Sequence, residues 1–135
     1  QLHPGSGSGT FAVLLAGRRT ANGNQYLQWA SDKTYSFSDG GDIRKGEWVD
    51  LVFDFNFANG QFKIYRRNEG QSKFVEVVSG IDSSMGTTAQ SYMKQGLYRG
   101  SSVNGRTDVL WMGPTARGSS FAAVEQAAFN TANGF

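Results

Sequence analysis

The sequence predicts an all-β fold, an antiparallel β-sandwich of jelly-roll patterning. Three observations carry that expectation. Short runs alternate apolar and polar side chains, the period of a strand with one buried face. Clusters of Gly, Asn and Asp separate the runs, and 18 of the 135 residues are glycine, a density that goes with turns rather than helices. Asn59-Gly60 stands between two of the clearest alternating runs, which is a strong hairpin signal. At 135 residues the chain holds one hydrophobic core, so residues 1–135 are expected to form a single domain.

The elements follow in order. Gln1-Leu2-His3 reads as a strand with Gln1 and His3 on one face. Pro4 to Gly9 is a flexible connection. Thr10 to Ala16 is an apolar strand covered on both faces, and Arg18 to Asn24 a turn. Gln25 to Ala30 sets Tyr26, Gln28 and Ala30 against Leu27 and Trp29. Tyr35 to Ser38 is a short strand before the turn Asp39-Gly40-Gly41-Asp42.

Trp48 to Phe55 is the plainest strand. Val49, Leu51, Phe53 and Phe55 form its core face, and Trp48, Asp50, Val52 and Asp54 the other. Its partner, Gln61 to Arg67, puts Phe62, Ile64 and Arg66 on one face and Gln61, Lys63, Tyr65 and Arg67 on the opposite one. Phe74 to Val78 is another strand. Gly80 to Gln90 is a polar connection anchored by Ile81 and Met85. Ser91 to Gly100 and Asp108 to Met112 are strands, Gly113 to Ser120 is a loop, and Phe121 to Val124 closes the sheet. The tail from Glu125 has weak helical character.

Composition narrows the function. Hydrophobic content of 39% with 18% charged residues marks a globular chain. No run approaches the roughly 18 apolar residues of a membrane helix, so no membrane partner is expected. With no cysteine there is neither a disulfide nor a thiolate metal site. Thirteen Lys and Arg against 11 Asp and Glu give a net charge of +2. That permits an anionic partner, but no basic run or reading helix points to nucleic acid. No signal peptide is visible. No cofactor and no metal are expected: Asp39 and Asp42 do not have EF-hand spacing and read as a turn.

The stretch Ser-Tyr-Met-Lys-Gln-Gly-Leu-Tyr-Arg-Gly, Ser91 to Gly100, carries the most functional information. Tyr92, Lys94, Gly96 and Tyr98 share one strand face, and a glycine inside a strand marks a bulge or a close approach. Two phenols and an ammonium around that gap suit a groove for an anionic polymer. The alternative is plain strand aromatics beside a solvated lysine. His3 is the only histidine, and alone it reads as a surface residue.

Together, Gln1-x-His3 and Tyr92-x-Lys94-x-Gly96-x-Tyr98 resemble the paired motifs of concanavalin A-like jelly-roll polysaccharide lyases of the alginate type. Lys94, Gly96, Tyr98 and Arg99 are similar to the Lys-x-Gly-x-Tyr-Arg strand of glucuronan- and heparin-lyase-like families. The resemblance spans Gln1 to about Glu125. It implies an enzyme that cleaves a uronate-containing anionic polysaccharide by β-elimination, in a secreted or periplasmic location. It implies catalytic roles for Gln1, His3 and Tyr98, and substrate binding by Tyr92, Lys94 and Arg99, with Lys63 and Tyr65 extending the groove. The family places an arginine-bearing strand before Gln-x-His, and this chain has none there. The expectation is therefore a C-terminal portion of the fold, lacking its N-terminal strands, with an N-terminal portion of the same domain as a partner. A non-catalytic carbohydrate-binding jelly-roll module is the alternative, and a sandwich domain without ligand a third reading. Trp48 and Trp111 are expected to be packing residues, and Trp29 to pack or to stack on a sugar. Arg106 and Arg117 read as substrate contacts or surface charge.

Overall fold

The computed structural model describes residues 2–4, 14–19, 25–30, 33–43, 46–82, 91–93, 107 and 109–132. The described part is mostly β, in antiparallel sheets of two and three strands, with one helix. The chain divides into two compact units, Gln1–Met93 and Lys94–Phe135.

Among the described residues the first unit holds eight strands: β1 (Leu2–Pro4), β2 (Leu14–Arg19), β3 (Gln25–Ala30), β4 (Thr34–Ser36), β5 (Val49–Asn56), β6 (Gln61–Asn68), β7 (Val75–Ile81) and β8 (Ser91–Met93). They form three antiparallel sheets, β1-β8, β2-β3-β4 and β5-β6-β7. β3 has the bounds its alternation predicts. β2 differs: its ladder with β3 runs on to Arg19↔Gln25, so Arg18 and Arg19 extend the strand instead of opening the turn. Thr10 to Val13 lie outside the described residues.

The core forms between the two three-stranded sheets. Leu27, Trp29 and Tyr35 come from the first, with Phe37 just after it; Leu51, Phe53, Phe55, Phe62, Ile64, Val77 and Val78 come from the second. Trp29 stacks on Phe62 at 5.1 Å between ring centroids and meets Phe55 at 5.6 Å and Phe53 at 5.9 Å. Full burial of side chains this size contributes about 1.5–3 kcal/mol each. Trp29 is 1% exposed and so is no sugar platform.

The β5–β6 hairpin turns through Phe57 to Gly60, with the Gly60 amide donating to the Asn56 carbonyl at 2.8 Å. Gly60 has φ +74°, and a Cβ there would strike the Asp82 carbonyl oxygen, so glycine is required twice over. Along β6 the predicted faces are observed: Phe62, Ile64 and Arg66 are buried, while Lys63, Tyr65 and Arg67 are exposed or half-buried. On β5 one residue departs. Val52 was expected on the solvent side, yet it is buried. It sits opposite Tyr65, between the Asp50–Arg67 and Lys63–Glu76 ion pairs. Long side chains of that kind cover apolar neighbours with their stems. Ile81 is 59% exposed and lies within β7, so it does not anchor a connection. Met85 lies outside the described residues.

The second unit corrects two expectations. Val109 to Met112 form no strand and are exposed, Trp111 to 79%, so Trp111 is not a packing residue. Trp48, in the first unit, is also exposed. Phe121 to Val124 belong to helix α1 (Phe121–Ala132) rather than to a closing strand. Alanine-rich sequence favours the helix, and the Ser120 hydroxyl caps it by accepting from the Ala123 amide at 3.2 Å.

Candidate functional site

β1 pairs with β8 in the register Leu2↔Met93, His3↔Tyr92 and Pro4↔Ser91. The histidine of the first motif and the leading tyrosine of the second are thus directly opposite on neighbouring strands. Gln1, Lys94, Gly96, Tyr98 and Arg99 lie outside the described residues.

Lys63 and Tyr65 are on β6, which the described residues place with β5 and β7, not with β1 and β8. The ladder of β6 is completed on both sides by β5 and β7, so among the described residues no ladder joins Lys63 and Tyr65 to the strands of His3 and Tyr92. The outer face of β6 is laced with ion pairs. Lys63 Nζ lies 3.0 Å from Glu76 Oε2. Arg67 donates through Nε and Nη2 to Asp50 Oδ2 at 3.0 and 2.8 Å, with its guanidinium 4.5 Å above the centre of the Phe74 ring. The hydrogen bond to Glu76, and then its charge, raise the Lys63 ammonium above its ordinary pKa. Hydrogen bonds from Lys63 and then Ser79 hold the Glu76 carboxyl below its own. Both cations on this face already have carboxylate partners.

Asp39 and Asp42 form the turn the sequence predicts, with the Gly41 amide donating to Asp39 Oδ1 at 2.9 Å. Their partner was not legible. Arg66 is 3% exposed. It donates to Asn68 Oδ1 at 2.7 Å and to the Asp42 carbonyl, and lies 3.4 Å from Asp39 Oδ2. The alternation places Arg66 on the core face, and that was the one available signal. This buried guanidinium ties β6 to the turn that follows β4.

A second feature escaped the sequence reading. β4 and β7 are edge strands of their sheets. They are tied at one point by the Ser38 amide donating to the Val77 carbonyl at 2.8 Å, and at another by the Tyr35 hydroxyl donating to the Ile81 carbonyl at 2.9 Å. Beside these ties the edges leave an open notch of about 410 Å³. Thr34, Tyr35, Ser36 and Ser38 line it on one side and Glu76, Val77, Val78 and Ser79 on the other. The signal was the polar/aromatic alternation Thr34-Tyr35-Ser36-Phe37-Ser38. Among the described residues no group of three or more His, Asp or Glu is placed to hold a metal ion.

Compared with protein-family models, curated proteins and solved structures, the chain matches none of them.

Proposed function

We propose that the chain carries catalytic residues of a uronate-polysaccharide lyase on a concanavalin A-like jelly roll. The observation that supports this reading is the β1–β8 pairing, with His3 opposite Tyr92. Neighbouring strands bring Gln-x-His and Tyr-x-Lys-x-Gly-x-Tyr within reach of one sugar. A binding module needs neither the histidine nor that spacing.

The chemistry sets the roles. A base removes the C5 proton beside the carboxylate, the released electron pair forms the C4–C5 double bond, the C4–O4 bond breaks, and an acid protonates O4. Gln1 and His3 neutralise the carboxylate and stabilise the enolate-like transition state, with His3 also able to take the C5 proton. Tyr98 gives the proton to O4. Tyr92, Lys94 and Arg99 hold the anionic chain. Lys63 and Tyr65 contribute less, because Glu76 already engages Lys63.

The test follows the ultraviolet absorbance of the unsaturated product with alginate, polyglucuronate and heparin-like polymers. Tyr98→Phe removes only the hydroxyl and His3→Ala the imidazole. Each is expected to lower turnover by about 100-fold or more, the scale of losing a positioned proton-transfer group. Full activity in both variants overturns the assignment. Binding without an unsaturated product selects the non-catalytic carbohydrate-binding module instead.

A further inference from the structure

The notch between β4 and β7 has a chemistry unlike that required for a uronate. It combines the hydroxyl-bearing side chains of Thr34, Ser36, Ser38 and Ser79 with the ring of Tyr35 and the carboxylate of Glu76. Hydroxyls donate and accept. Vicinal diols require that mixture. Glu76 Oε2 lies 3.0 Å from Lys63 Nζ, and the Ser79 side chain hydrogen-bonds the same carboxylate. Among the described lining residues Glu76 is the one charged group, and its pairing with Lys63 leaves little net charge for an ionic ligand to meet. Its size of about 410 Å³ falls in the range of small-molecule sites.

We propose that this notch is a binding site for a neutral, hydroxyl-rich sugar ring. The site goes beyond the lyase reading, since it uses neither β1 and β8 nor a charged substrate.

The experiment is a titration of the full chain with β-1,4-linked disaccharides of glucose, mannose and galactose, followed by amide chemical shifts in nuclear magnetic resonance. The expected result is saturable shifts, for at least one sugar, centred on Thr34–Ser38 and Glu76–Ser79. A β-1,4-linked glucuronate disaccharide should produce no comparable response there. The double variant Ser36→Ala/Ser79→Ala removes two exposed hydroxyls and is expected to weaken binding about tenfold. Its fold is checked by unchanged shifts around Trp29 and Phe62. Three results overturn the proposal: no saturable shifts for any neutral sugar, equal binding of the glucuronate, or unaltered affinity in the double variant. None of them depends on catalytic turnover, so the lyase reading stands or falls separately.

Discussion

The inner and outer faces of β6 carry nearly the same side chains and do different things with them. Each has an aromatic ring and an arginine: Phe62 and Arg66 inside, Tyr65 and Arg67 outside. Arg66 is 3% exposed and links the strand to the turn after β4; Arg67 lies on the surface, between Asp50 and Phe74. Residue type does not separate them. Parity along the strand does, because successive side chains point to opposite faces. Parity then sets the worth of each contact, since an ion pair in water is screened and a partly buried one much less so.

Four substitutions probe that contrast. Phe62→Ala deletes the ring on which Trp29 stacks and should lower unfolding free energy by about 3–5 kcal/mol, read from a denaturant titration. A loss below about 1 kcal/mol would mean the faces are exchanged. Arg66→Met keeps most of the volume but strips the donor from the Asp42 carbonyl, Asn68 and Asp39. It should cost about 2–4 kcal/mol, and a stability gain would show that the buried cation is tolerated rather than stabilising. Arg67→Ala, one residue on, should cost under about 1 kcal/mol and lose part of that in high salt. If it matches Arg66→Met, burial is not what separates the two arginines.

The smallest effect is one of pH. Glu76 has a folded pKa below its unfolded one, so its contribution is present above the unfolded carboxyl value and lost as pH falls through the folded value. Lys63 is raised, so its contribution is full below the unfolded lysine value and lost as pH rises through the folded one. Glu76→Gln should therefore narrow the stability difference between about pH 3 and pH 7, slightly because both groups are exposed. An unchanged difference would place no weight on the pair.

Alternation made the β3 bounds and the β6 faces legible, and Asn59-Gly60 fixed the hairpin between β5 and β6. Where alternation failed, a neighbour distant in sequence decided the outcome. Val52 is buried although Asp50 and Asp54 flank it, on a face where charged side chains pair across β5, β6 and β7. The role of Arg66 rests on Asp39 and Asp42, from a turn that sequence spacing does not bring to β6. Val109 to Met112 have strand-forming composition, yet composition does not supply a partner ladder. At Phe121, short-range alternation was outweighed by alanine content and the Ser120 cap. Of the candidate site, the two motifs were legible as residues, whereas the pairing of their strands, which joins residues from opposite ends of the first unit, is a long-range contact that spacing does not give.

That adjacency has a kinetic consequence. β5, β6 and β7 are joined in sequence by short turns, so their contacts form at little loop-closure cost. His3 and Tyr92 are about 90 residues apart, and their pairing closes the longest loop among the described strand pairs. The meander is thus placed to form early and the β1–β8 ribbon late. In hydrogen exchange, amides of β6 should report global unfolding, while those of β1 and β8 open in a smaller, earlier event. The strands that carry the proposed chemistry would then be the last to assemble and the first to let go.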